Sequence, residues 1–125
     1  MFFNILYFTS LWFPLILFDC KETLEAEGIS AEVIDIATIK PLDEEAVIAS
    51  AKKTGAVVCA EEHNTCGGLG ELVAGVLAAN APTPMEFING ADRFGQSGTP
   101  AELMKVYGLD AAHIVEAAKK AVARK

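Results

Sequence analysis

Cys59, Glu61, Glu62, His63, Asn64 and Cys66 stand close together in the stretch "CAEEHNTC", and Gly67, Gly68 and Gly70 follow at once in "GGLG". Three kinds of chemistry use residues of these types. A histidine, whose unperturbed pKa lies near neutrality, can act as a general acid or base. No Ser or Cys nucleophile has a defined spacing to His63, so orientation of a loop or contact with a partner is the competing reading. Cys59, His63 and Cys66 form a C-x3-H-x2-C pattern that offers at most three soft ligands. A zinc site needs a fourth ligand or a water, and Cys59 falls inside an apolar run. A glycine cluster ahead of a helix can hold a phosphate on its backbone N–H groups. "GGLG" matches neither G-x-G-x-x-G nor G-x-x-x-x-G-K-[ST], so tight packing of helix on strand or subunit is its alternative. Glu61 and Glu62 point opposite ways in an extended chain and make no ready acid/base pair; a solvated loop end explains them equally well.

These residues need an element on either side. Gly55 opens a short apolar run, Ala56 to Ala60, of the kind that a parallel strand covered on both faces requires. Leu69, Leu72, Val73, Val76 and Leu77 then recur at helical spacing, so the unit reads strand, loop, helix, with the loop at the carboxyl end of the strand. The alternation extends in both directions. Residues 19–27 are charged and helix-favouring, with Gly28 as the stop, and Ala31 to Ile39 predict a buried strand ended by Pro41. Asp43 caps a helix with Glu44 and Glu45 in its first turn and Lys52 and Lys53 in its last, as the helix dipole favours. The helix from Leu69 stops at Asn80 ahead of Pro82 and Pro84, and Met85 to Ile88 predict a short strand. Thr99, Pro100 and Glu102 form a capping box for a helix through Tyr107, and Asp110 caps a last helix with Ile114, Val115, Ala118 and Val122 facing inward. The sum is an α/β fold, a three-layer α/β/α sandwich on a mostly parallel sheet with right-handed crossovers.

Parallel strands put their carboxyl ends on one rim, where "TIKPLD", "EEHNTCGGLG" and "NGADRFGQSGT" are expected to converge. That rim would gather Lys40, Glu61, Glu62, His63, Asn64, Asp92, Arg93, Gln96 and Ser97. Arg93 is the one basic residue of the last loop, suited to an anionic substrate or to pairing with a neighbouring carboxylate.

With 125 residues and a formal charge of -7, the chain has room for one sizeable core and little attraction for nucleic acid or anionic membrane surfaces. Three cysteines form no disulfide framework, which fits a reducing cytoplasm. Composition breaks near Asp19, dividing an apolar leader, residues 1–18, from a domain over residues 19–125. The leader has no charged residue and is rich in Phe, Tyr and Trp. It reads as an atypical first strand, as an anchor or export segment, or as a displaced start of the reading frame. An apolar stretch of roughly 17 to 25 residues can span a bilayer. Against a membrane role stand the lack of Lys or Arg before Lys21, the interruptions at Asn4 and Pro14, and the absence of a small-residue cleavage site.

The motifs "TIKPLD", "EEH…GGLG" and "FGxSGTPxELxxxYGLD" occur here together, and over Lys21 to Lys125 the chain resembles the carboxyl-terminal domain of transketolase, in particular the C-terminal subunit of split transketolases. The equivalent domains of 1-deoxyxylulose-5-phosphate synthase and of 2-oxo acid dehydrogenase β subunits are more distant. The resemblance implies a thiamine-diphosphate and Mg²⁺ enzyme of the pentose phosphate pathway that moves two-carbon ketol units between sugar phosphates. It implies a dimer with active sites at subunit interfaces, and a third domain that serves assembly and stability. The cofactor of such enzymes sits on a pyrophosphate domain with a Gly-Asp-Gly motif and on a pyrimidine domain, and no Gly-Asp-Gly occurs in this sequence. The expectation is therefore a chain inactive alone, without catalytic, cofactor or metal residues of its own, working with domains or a subunit that carry the thiamine sites in a homo- or hetero-oligomer. Glu62, His63, Gly67, Gly68, Gly70, Arg93 and Ser97 are its candidate loop and interface residues. The alternative is a non-catalytic interaction or regulatory module that uses the rim.

Overall fold

Strands and helices alternate along the chain in the order β1 (Phe3–Thr9), α1 (Pro14–Ala26), β2 (Ile29–Asp35), α2 (Glu44–Thr54), β3 (Val57–Ala60), α3 (Leu69–Asn80), β4 (Met85–Ile88), α4 (Pro100–Val106) and α5 (Ala111–Ala123). The structure is a computed structural model that describes residues 3–9 and 14–125. Its strands form one sheet in the order β2-β1-β3-β4, and every pair is parallel. β1 lies between β2 and β3, with Phe3 opposite Ile29 and Phe8 opposite Cys59.

Alternation along β3 builds two cores. Ala56, Val58 and Ala60 face Leu17, Cys20 and Leu24 of α1 and Ile114, Ala118 and Ala121 of α5. Val57 and Cys59 face Val47 and Ala51 of α2 and Leu69, Val73 and Leu77 of α3. All four β3 residues are buried, as a strand with helices on both faces must be. Helices thus cover both sides of the sheet, in three layers.

The helix ends follow from local chemistry. The Asp43 carboxylate accepts from the Ala46 N–H at 3.0 Å, and Gly55 closes α2 at a φ of 77°. Thr99 and Glu102 form the expected capping box with Pro100 in the first turn of α4, and Asp110 accepts from the His113 N–H at 3.1 Å. α3 and β4 keep the predicted limits.

Two boundaries differ from expectation. α1 begins at Pro14 rather than Asp19; proline's fixed φ suits a first helical turn. β2 covers Ile29–Asp35 rather than Ala31–Ile39, because its pairing partner β1 ends opposite Asp35; Ile36 is still buried, whereas residues 37–41 lead exposed onto the rim. Val115 packs half-buried against the core, as expected, whereas Leu72, which shares the helical spacing of α3, is 37 % exposed.

Candidate functional site

The parity that sends Val57 and Cys59 to the α2/α3 side of the sheet carries one residue further, to Glu61. Its backbone N–H still bonds Ile88 of β4, and its carboxylate, 3 % exposed, lies against the start of α3. There it accepts from the N–H of Leu69 at 2.7 Å and of Gly70 at 2.9 Å. A helix N-terminus presents unpaired N–H groups and partial positive charge, so a buried carboxylate is well placed there. Glu61 is therefore no solvated loop end, and the anion held by "GGLG" belongs to the chain itself. The glycines make room for it. A Cβ on Gly68 would stand 2.6 Å from Glu61 Oε1 and from the Asn64 carbonyl, and one on Gly70 would stand 2.5 Å from the Phe87 ring. Gly67 turns at a φ of 75° and its N–H bonds the Glu71 carboxylate.

Glu62, the next residue, is exposed, as are His63 and Asn64. His63 Nδ1 lies 3.3 Å from the Asn64 carbonyl, and the His63 carbonyl accepts from Gly90 N–H at 2.9 Å. Further bonds tie this loop to the one after β4. The Thr65 N–H donates to Asp92 at 3.1 Å, and the Thr65 hydroxyl to Asn89 at 3.2 Å. Ala91 and Asp92 take left-handed φ values of 52° and 54°, a conformation that costs energy for residues with a Cβ and persists where neighbouring bonds enforce it.

Among the described residues, the rim expected from the sequence as one site holds two separate clefts. The first, of about 710 Å³, is lined by Glu62, His63, Asn64, Arg93 and Gln96 above Leu103, Met104 and Tyr107. The second, of about 610 Å³, is lined by Lys40 with Ile39, Leu42 and Leu72, beside Gly67 and Gly68. The loop after β3 is the partition, since residues 62–64 line the first cleft and 67–68 the second. Ser97 is exposed and lines neither. Arg93 forms no ion pair with a carboxylate of the described residues. Its guanidinium lies 4.8 Å from the centre of the Tyr107 ring and donates to the Val106 carbonyl at 3.3 Å. Tyr107 Oη in turn donates to the Phe94 carbonyl at 2.7 Å. Phe94, which opens the "FGxSGTPxELxxxYGLD" motif but was not among the candidate residues, is 100 % exposed.

The C-x3-H-x2-C residues do not converge. Cys59 is buried toward α2 and α3, while Cys66 is exposed with its thiol 3.8 Å from Asp92. Burial, and then the Glu61 charge, push the Cys59 thiol far up, and Asp92 followed by Glu71 raises that of Cys66. Burial beside Asp19 lifts Cys20 to about 11. Among the described residues, no three His, Cys, Asp or Glu side chains are grouped to hold a metal ion.

Residues 17–114 match the family described as transketolase, C-terminal domain. The chain belongs to this family. It is 46 % identical over 104 residues to the 6-deoxy-6-sulfo-D-fructose transketolase subunit SqwH of Clostridium sp. (strain MSTE9), a match covering 83 % of this chain and 32 % of that one. The putative transketolase C-terminal section of Methanocaldococcus jannaschii is 45 % identical over 104 residues, covering 79 % and 32 %. A split-gene transketolase solved as an inactive β4 tetramer superposes with a TM-score of 0.92 at 41 % identity, over 97 % of this chain and 40 % of that one. The chain spans about a third of the length of these curated relatives. The chain thus corresponds to the C-terminal part of transketolase-family enzymes. Its residues do not fit the diphosphate of thiamine diphosphate: the helix N-terminus suited to a phosphate is filled by Glu61, and the sequence has no Gly-Asp-Gly. Among the described residues, no helix is long and apolar enough to cross a membrane.

Proposed function

We propose that this transketolase C-terminal domain is the assembly component of a cytoplasmic, thiamine-diphosphate-dependent enzyme that transfers two-carbon ketol units between sugar phosphates. It is inactive alone. The cofactor and its Mg²⁺ sit on domains or a subunit that supply the pyrophosphate and pyrimidine sites. The observation that carries this reading is the Glu61 carboxylate seated on the start of α3, which closes from within the phosphate cradle that "GGLG" would otherwise offer. The two clefts described on the rim have mixed polar and apolar walls, suited to contact with other protein. The β4 assembly of the similar split-gene transketolase supports self-association of this chain as part of the same role.

Mixing the chain with a protein that supplies the two thiamine domains tests the proposal. Complex formation is followed by sedimentation, and ketol transfer from xylulose 5-phosphate to ribose 5-phosphate by product analysis. Activity confined to the mixture is the expected result. Transfer by the chain alone, or a folded chain that neither joins the complex nor raises its activity, overturns it.

A further inference from the structure

We infer that Asn89 is a site of self-modification, at which the backbone nitrogen of Gly90 displaces the side-chain nitrogen of Asn89, and that contact between the loops after β3 and β4 restrains the reaction. Asn89 is the one asparagine of the sequence followed by glycine, whose missing Cβ leaves its own backbone nitrogen unhindered. Neither the backbone nor the packing requires a glycine there. Gly90 has no left-handed φ, and a Cβ on it would lie 3.4 Å from the His63 carbonyl and 3.5 Å from Asn64 Oδ1, which are ordinary contacts. The left-handed residues of this turn are Ala91 and Asp92, where a glycine would relieve strain. Water alone balances the chemistry. The Gly90 N–H loses its proton to solvent, a bond forms from that nitrogen to Asn89 Cγ, the Cγ–Nδ2 bond breaks, and the leaving nitrogen takes up a proton as ammonia. Water then opens the cyclic imide at either carbonyl, leaving aspartate or isoaspartate in place of Asn89.

The folded chain holds the reacting groups still. The Gly90 N–H donates to the His63 carbonyl at 2.9 Å, so the proton that must leave is already engaged, as in an amide protected from hydrogen exchange. Asn89 Oδ1 accepts from the Ala91 N–H at 2.9 Å and from the Thr65 hydroxyl at 3.2 Å, which fixes the orientation of the side-chain amide. His63 and Thr65 both belong to the loop after β3, so parting of the two loops frees nucleophile and target together. His63 and Thr65 are exposed and Asn89 is half-buried, so a shallow opening admits the water that the reaction needs. The product keeps the loops apart. Isoaspartate lengthens the main chain by one methylene, and either product adds a negative charge three residues before Asp92, whose carboxylate holds the Thr65 N–H at 3.1 Å. A transient opening thereby becomes a lasting one.

The test incubates the full chain at mildly alkaline pH, folded and in guanidinium chloride. Peptide mapping by mass spectrometry and an isoaspartyl methyltransferase assay follow product at residue 89, and hydrogen exchange follows the Gly90 amide. The folded chain should react at least about tenfold more slowly than the denatured one. Thr65→Val removes one neutral hydrogen bond, so it should speed both the reaction and Gly90 exchange in the folded chain about two- to tenfold, and leave the denatured rate unchanged. Gly90→Ala should keep the fold, by circular dichroism, and cut the reaction at least about tenfold in both states. Equal rates in folded and denatured chains overturn the restraint, as does a Thr65→Val rate that does not move with Gly90 exchange. Product absent from the denatured parent, undiminished in Gly90→Ala, or formed at Asn64 or Asn80 instead overturns the site.

Discussion

Glu61→Ala isolates the interaction on which the loop after β3 is built. The carboxylate is 3 % exposed and accepts two N–H bonds, at 2.7 and 2.9 Å, from the first turn of α3. A hydrogen bond to a charged group contributes about 1.5–3 kcal/mol, and a carboxylate at a helix N-terminus adds about 0.3–1 kcal/mol more. Set against these is the cost of desolvating the carboxylate, which the substitution removes. The net expected loss is about 2–4 kcal/mol, a large fraction of the roughly 5–15 kcal/mol that holds a domain folded. Urea unfolding is the assay, and the midpoint should fall at unchanged slope. For a domain of this size the melting temperature should drop by about 10 °C. Glu61→Gln keeps one good acceptor and should lose about half as much. The control is Glu62→Ala, one residue on and exposed, which should stay within about 0.5 kcal/mol of the parent. Equal midpoints for the Glu61→Ala and Glu62→Ala variants would refute the reasoning.

The glycines and the outer strand give two further predictions. Gly68→Ala should destabilise by about 1–3 kcal/mol, and by more than Gly70→Ala, because its Cβ meets the Asn64 carbonyl and the Glu61 carboxylate, whereas that of Gly70 meets the ring of Phe87, which can turn aside at 41 % exposure; thermal melts of the two variants decide the order. Partial burial pushes the Glu86 carboxyl up, but hydrogen bonds from Lys120 and Arg124 outweigh it and hold the group below its ordinary range. A carboxyl depressed in the folded state contributes stability above the unfolded value of about 4.3 and loses it as the pH falls through the folded value. The parent chain should therefore lose more stability than Glu86→Gln on acidification through and below pH of about 4.3, measured by urea midpoints; parallel curves would remove Glu86 from the account.

The helix caps were legible in the sequence because their chemistry is local: Asp43, Thr99 with Glu102, and Asp110 each bond within their own first turn. Strand β3 was legible from its unbroken apolar run, and with it the covered parallel sheet. The end of β2 was not, because it is set by where β1 stops, a pairing between distant segments. The sequence also left Glu61 and Glu62 as equals. Continuing the two-residue period of Val57 and Cys59 past the strand would have separated them, one toward α3 and the other toward the open cleft. The division of the rim in two, and the seat of Arg93 on Tyr107, depend on loops meeting in space, and no spacing along the chain encodes them.

The outer strands of the sheet each carry a glutamate bonded to at least one basic side chain. Glu32 of β2 is bonded by Ser50 and Lys53, and Glu86 of β4 by Lys120 and Arg124. A strand from another molecule that tried to extend the sheet at either edge would meet these charges and the ammonium and guanidinium groups beside them, and would have to strip their water. The ladder of backbone bonds is thereby discouraged from running on into a neighbour. The chain can then be concentrated without its sheets fusing, and any contact it makes is left to side chains, which choose their partners by shape.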